Sequence, residues 1–181
     1  MQASEGAART GSPRFRGEVD PLWHGMPTAM ARRFHQICAA RTAEAVSEFG
    51  LTPLQYGAMV HLARITGDGI EQNVLADRIN VDRNTVSLLV EHLVKMGIVA
   101  RQVNGADRRV RLLSLTAKGK KLHARLRPAV SAVNDNILSP ITRRERKLLM
   151  DLLIRVIEEN LRHPKGIRRQ RKRSSRELPA G

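Results

Sequence analysis

Aromatic side chains are scarce in this sequence: one Trp, one Tyr and three Phe make up 3% of its 181 residues. A hydrophobic share of 41% must therefore build its core from Leu, Val, Ile and Ala, as a mainly helical protein does. A single cysteine, Cys38, excludes an internal disulfide framework and fits a reducing compartment. Apolar runs of membrane-spanning length are absent too. Met1 to Gly17, rich in Ala, Gly, Ser and Arg, has no apolar stretch of the kind a secretory signal carries. The expectation is a soluble, cytoplasmic protein. Acidic residues are in deficit, 17 Asp and Glu against 32 Lys and Arg. The resulting net charge of +15 calls for a polyanionic partner, nucleic acid or an acidic surface.

Catalytic signatures are missing as well. No nucleophile–base pair stands at a recognisable spacing, and no glycine loop is shaped to cradle phosphate. The histidines, His24, His35, His61, His92, His123 and His163, do not fall at metal-ligand intervals. An enzyme, a metal site and a cofactor are not expected.

What the sequence does contain is concentrated between Ile79 and Thr116. Asn80-Val81 reads as a turn and Asp82 as a helix N-cap. Val86, Leu89, Val90, Leu93 and Met96 then recur on one face of a 3.6-residue helix that Gly97 ends. Beyond it the period shortens to that of strands, 99–103 and 110–115, around a turn-forming Asn104-Gly105. A helix followed directly by a basic hairpin is the reading head of a winged helix-turn-helix protein. Arg83, Asn84, Ser87 and Leu88 fall on the outward face of that helix. Arg suits guanine and Asn suits adenine, each through paired hydrogen bonds, and Leu88 suits a thymine methyl. Glu91 and Lys95 are expected to form a surface i,i+4 pair.

The flanks read as helices. A first helix is expected over 28–49, with Met30, Phe34, Ile37, Cys38, Arg41 and Ala45 on one face. Thr52-Pro53-Leu54-Gln55 opens a second with a capping box and runs it to about Ile65. A short third helix is expected over 71–79, with Val74, Leu75 and Ile79 inward. After the hairpin, Leu122, Leu126, Ala129, Val130, Val133 and Ile137 stripe a long helix that Pro128, on its far side, is expected to bend. Thr142-Arg143-Arg144-Glu145 caps the last helix, where Leu148, Leu149, Leu152, Leu153, Val156, Ile157 and Leu161 spread over more than one face. Such a helix has two partners. The fold class is mainly α: a winged helix-turn-helix over about 51–116, with long helices at about 20–49 and 117–162 forming a dimerisation layer. The whole unit spans 18–163. An extension over 1–17 and a basic tail over 164–181 are expected to be disordered. A homodimer with two-fold symmetry places its reading heads roughly 34 Å apart on duplex DNA, which predicts an inverted-repeat operator.

Taken together, Leu51-Thr52-Pro53-Leu54-Gln55-Tyr56, Leu75-Ala76, 81–86, 93–101, Asp107-Arg108-Arg109 and Leu115-Thr116-Ala117-Lys118-Gly119 resemble the MarR family of bacterial transcriptional regulators. The match extends from about Phe34 to Leu161. It implies a winged-helix homodimer that represses a nearby promoter and releases DNA when a small molecule, often an aromatic acid or phenol, binds between its two layers. It also implies that Arg109 enters the minor groove, steadied by Asp107. Arg108 and Arg111 are then placed to meet phosphates. By the same resemblance the effector pocket lies among the first, second and fifth helices, where Arg41 and His61 are candidate ligand contacts and Trp23 a candidate lid. The plainer reading of Arg41 and His61 is a buried ion pair across the dimer and a satisfied core histidine. Cys38, on an apolar stripe, is either a small buried hydrophobe or an oxidant-sensing thiol. The competing reading of the chain is a nucleoid- or RNA-binding basic protein with no effector and no sequence preference.

Overall fold

The computed structural model describes residues 25–103 and 111–162. The chain divides after Gln36 into two units, and the second, from Ile37, holds every element named below except the first part of α1. Helix α1 covers Pro27–Val46, and a single 3-10 turn, Ser47–Phe49, tightens its end. Gly50 stops it at φ 67°, a left-handed value that carries no steric cost without a Cβ. Helix α2, Pro53–Leu62, starts as the sequence dictates. Thr52 Oγ1 accepts from the Gln55 backbone N–H at 3.2 Å, while Gln55 Oε1 accepts from the Thr52 N–H at 2.9 Å. This reciprocal box satisfies two donors that the helix itself cannot. The helix ends at Leu62, short of the expected Ile65.

The segment after α2 departs from the sequence reading. Ile70–Glu71 is a strand, β1, and the short helix α3 begins only at Gln72 and runs to Arg78. Ile70 pairs with Leu113 and Glu71 with Leu112, so the sheet satisfies backbone groups that the first turn of a helix would have left open. Gly69, at φ 122°, makes this pairing possible, because a Cβ there would lie 2.5 Å from the Leu113 carbonyl oxygen. Within α3, Leu75 and Ala76 are buried, but Val74, expected inward, is 39% exposed. A seven-residue helix offers one narrow inner face, and Val74 lies outside it.

Helix α4, Arg83–Lys95, begins at Asp82, whose carboxylate accepts from the backbone N–H groups of Asn84 and Thr85 at 2.9 Å and from the Thr85 hydroxyl at 2.6 Å. Asn80 precedes it with φ 54°, a left-handed turn residue that asparagine tolerates. Val86, Leu89, Val90 and Leu93 are buried, as their spacing predicts. Strands β2, Val99–Val103, and β3, Arg111–Leu115, pair antiparallel from Val99↔Leu115 to Val103↔Arg111, and the sheet order is β1-β3-β2. The expected turn at Asn104-Gly105 lies outside the described residues.

Helix α5 covers Ala117–Ile137, capped by Thr116, whose hydroxyl oxygen accepts from the Gly119 N–H at 3.0 Å. Leu126 and Val130 are buried, whereas Ala129, expected in the same stripe, sits at its edge and is exposed. Pro128 lies on the exposed side. Helix α6, Arg143–Arg162, opens with the predicted box: the Thr142 N–H donates to Glu145 Oε2 at 2.7 Å, and the Glu145 N–H donates to Thr142 Oγ1 at 3.3 Å. Arg146 joins it to α5 through Asp135 at 3.1 Å. No residue of α6 is buried, and Leu148, Val156, Ile157 and Leu161 are each more than half exposed.

The core is one cluster at the junction of α2, α3, α4, the sheet and the middle of α5. Met59, Leu75, Val86, Val90, Leu93, Ile98, Leu113 and Leu126 are at its centre. Its contents are mainly aliphatic, with Tyr56 the single aromatic among the buried residues that are described.

Candidate nucleic-acid interface

Burial of one face of α4 fixes what the other face presents. With Val86, Leu89, Val90 and Leu93 held in the core, Arg83, Asn84, Ser87 and Leu88 all stand in solvent, and Leu88 is 69% exposed. A single exposed leucine is ordinary on a protein surface; on this face, beside polar residues and a cation, it suits an apolar contact in a groove. Hydrogen bonds from Thr85 and the backbone hold the Asp82 carboxyl below its usual range, so it stays ionised as a cap. Glu91 and Lys95 pair at 3.0 Å across the surface, as their spacing predicts.

The far end of α4 is tied down by the start of α5. The Thr116 hydroxyl donates to the Gly97 carbonyl at 2.7 Å, and Lys118 Nζ donates to the Met96 carbonyl at 2.8 Å. Met96 is the C-cap of α4, at the negative end of the helix dipole, so a lysine there is well placed. Gly119 lies so close to the Ile98 carbonyl that a Cβ would collide with it. The motif Leu115-Thr116-Ala117-Lys118-Gly119 is thus a joint, binding the recognition helix to α5.

The hairpin stands beside α4. Arg101 of β2 donates to Gln72 Oε1 of α3 at 3.3 Å, and Arg111, at the start of β3, is exposed. Asp107, Arg108 and Arg109 lie outside the described residues.

A second feature lies between α2 and α5: an open cavity of about 480 Å³, lined by Tyr56 and Val60 from α2, by Ala63 and Arg64 just after it, and by His123, Arg127, Val130, Ser131 and Asn134 from α5. Tyr56 and His123 stack with ring centroids 6.0 Å apart and planes at 23°, an offset-stacked arrangement. Burial pushes the His123 imidazole below its ordinary pKa and Arg127 pushes it further. The lining contains two arginines and no carboxylate, so the cavity carries an uncompensated positive charge.

Neither of the described residues that sequence reasoning placed in a ligand pocket lines this cavity. Arg41 is exposed on α1 and pairs with Glu44 at 3.3 Å, one turn along its own helix. His61 follows Val60 by one position, about 100° round a helix of 3.6 residues per turn. It is half-buried on another side, where burial, Arg78 and Arg64 all lower its pKa. Trp23 lies outside the described residues. The lining residues are regularly spaced, 56, 60, 63 and 64 along α2 and just past its end and 123, 127, 130 and 134 along α5, but neither row by itself marks a cavity. Cys38 is half-buried, and burial raises its thiol pKa, the opposite of what a reactive thiolate needs. Among the described residues no group of three or more His, Cys, Asp or Glu is placed to hold a metal ion, and no helix is long and apolar enough to cross a membrane.

Comparison with known proteins meets this geometry. Residues 49–110 match the model of the MarR family. The chain is 32% identical over 120 residues to the HTH-type transcriptional regulator YybA of Bacillus subtilis, covering 65% of this chain and 80% of that protein. It is 31% identical over 103 residues to the transcriptional regulator HosA of Escherichia coli, covering 57% and 75%. Among solved structures, the PcaV transcriptional regulator of Streptomyces coelicolor, in complex with its natural ligand, superposes with a TM-score of 0.68 at 29% identity, over 79% of this chain and 98% of that one.

Proposed function

The chain belongs to the MarR family and is a DNA-binding, effector-responsive transcriptional regulator rather than an enzyme, and on that premise we propose how it reads DNA and what releases it. Two copies pair through their outer helices, and each lays α4 in a major groove of an inverted-repeat operator. Arg83 and Asn84 contact base edges there, Ser87 contacts a base or phosphate, and Leu88 meets a thymine methyl. In the wing, Arg109 enters an adjoining minor groove, steadied by Asp107, while Arg108 and Arg111 bind phosphates. The observation that carries this reading is the exposed set on the first two turns of α4, held outward by a buried opposite face and a bonded helix end. Repression follows where such an operator overlaps a promoter.

The effector is a small aromatic carboxylate seated between α2 and α5. Support comes from the size of the cavity, the flat faces of Tyr56 and His123, and the arginine pair Arg64 and Arg127. A carboxylate needs charged or hydrogen-bonding partners once it leaves water, and Arg supplies both. Occupancy of the cavity acts on α5, whose first turn holds the end of α4, and so it reaches the reading head.

Competition at fixed salt between a palindromic fragment of the flanking promoter and random duplex tests the DNA reading. Preferential retention of the palindrome is expected. Equal displacement by both duplexes would instead support a basic protein that binds nucleic acid without reading sequence.

A further inference from the structure

The cavity between α2 and α5 contains a feature that an anion site does not require. His123 sits in the wall beside two permanent cations, stacked on Tyr56. From α2 and its C-terminal end, Tyr56 and Arg64 share the cavity with it; along α5, Arg127 stands one turn away. Strand β3, which also packs on α5, brings no titratable group to the lining. No residue lining the cavity is negative to offset the two guanidinium groups, and burial and then Arg127 lower the imidazole's pKa. A carboxylate entering between Arg64 and Arg127 reverses that local balance. It supplies the negative neighbour that favours imidazolium, and it accepts the N–H that protonation creates.

We propose that His123 takes up a proton from solvent when an aromatic carboxylate binds, so that effector binding is coupled to pH. This rests on the reading of the cavity as the effector site. The ligand enters as the anion and stays one; the imidazole gains the proton, and the bound state holds a carboxylate between two guanidinium groups and an imidazolium. The sign of the linkage follows. Affinity rises as pH falls through the pKa of His123 in the complex and levels off below its pKa in the free protein. Each unit by which the ligand raises that pKa strengthens binding by at most about tenfold. The same concentration of effector therefore releases DNA more completely in mildly acidic medium.

Titration calorimetry of the full chain with benzoate and with 4-hydroxybenzoate, in phosphate and in Tris near pH 7, tests this. The two buffers differ widely in ionisation enthalpy, so the difference in observed heat counts protons. A fractional uptake, between zero and one proton per site, is expected. In His123→Gln, whose amide still donates a hydrogen bond but carries no charge, binding should weaken yet remain measurable, with the uptake gone. Binding without proton uptake in the unaltered protein overturns the proposal and leaves the effector cavity standing. No binding of either carboxylate, by heat or by thermal shift, overturns the cavity reading and the proposal with it. If His123→Gln does not fold, proton resonances of the unaltered protein decide. The His123 ring is identified by its proximity to the only tyrosine in the sequence, and its titration midpoint should move upward with benzoate. An unmoved midpoint in the ligand-bound protein refutes proton uptake.

Discussion

At the scale of single residues, the sharpest constraint in the structure is a missing side chain. Gly119 meets the Ile98 carbonyl where a Cβ has no room, and both partners are backbone, so neither can rotate away. Gly119→Ala should shift α5 off the end of α4 and cost about 1–3 kcal/mol, the range for overpacking a well-filled site. Urea unfolding checks this: the midpoint should fall at unchanged slope. Loss of operator affinity in protein that is still folded would show that the shift reaches the reading head. Substitutions on the DNA face should behave differently. Arg83→Ala removes an exposed guanidinium from the first turn of α4, and Arg109→Ala removes the proposed minor-groove contact. Each should weaken operator binding by about 1–3 kcal/mol while leaving the urea midpoint in place. A gel-shift titration at fixed salt with unchanged affinity would remove the residue in question from the interface. The contrast between the two classes matters more than either figure, because one acts through packing and the other through contact alone.

At the scale of elements, the joint between α4 and α5 decides how the halves of the molecule communicate. Lys118 donates to the Met96 carbonyl and Thr116 to the Gly97 carbonyl, while the middle of the same α5 lines the cavity proposed for the effector. Lys118→Met keeps the aliphatic stem and removes the charge. It should cost about 0.3–1 kcal/mol, the worth of a cation at an exposed helix end, and should speed amide hydrogen exchange in the last turn of α4 above all. Uniform exchange changes across the domain would mean that Lys118 contributes general stability rather than a local tie. Which elements were legible in sequence follows from the same physics. Helices with a cap and a repeating apolar face, α2, α4 and α6, start at the residues that their capping boxes and Asp82 mark, because those signals are local. Strand β1 was not legible. Two residues carry no alternation, and Ile70–Glu71 is a strand only because Leu112 and Leu113, some forty positions on, pair with it. Val74 failed for a related reason, since a helix as short as α3 leaves the choice of inner face to its neighbours. The cavity is a property of two helices brought together, so neither row of lining residues announces it alone. Arg41 and His61 drew notice as polar residues on apolar stripes; in the structure Arg41 is exposed and paired with Glu44, and His61 lies one position from Val60, outside the cavity lining.

At the scale of the molecule, the exposure of α6 is the fact that a single chain leaves unexplained. Its twenty residues include none that is buried, and Leu148, Met150, Leu152, Leu153, Ile154, Val156, Ile157 and Leu161 each show more than a third of their surface. Isolated exposed apolar residues are ordinary, but a contiguous run of this size marks an interaction surface. The capping box of Thr142 and Glu145 and the pairs Lys147–Asp151 and Arg162–Glu159 stabilise the helix itself. What they do not do is cover its apolar face. The core around Met59, Val86 and Leu93 closes without any residue of α6, so disrupting that face should separate subunits before it unfolds them. Leu153→Asp combined with Ile157→Asp puts two carboxylates on adjacent turns of the helix. Sedimentation of this variant should give a single subunit where the unaltered chain gives a dimer, with far-ultraviolet circular dichroism nearly unchanged. A lone reading head forfeits the effective concentration that a second one supplies, so affinity for an inverted repeat should drop on the order of a hundredfold or more, while affinity for a half-site holds. A variant that remains a dimer would move the subunit contact away from α6 and, with it, the two-fold spacing from which an inverted-repeat operator is inferred.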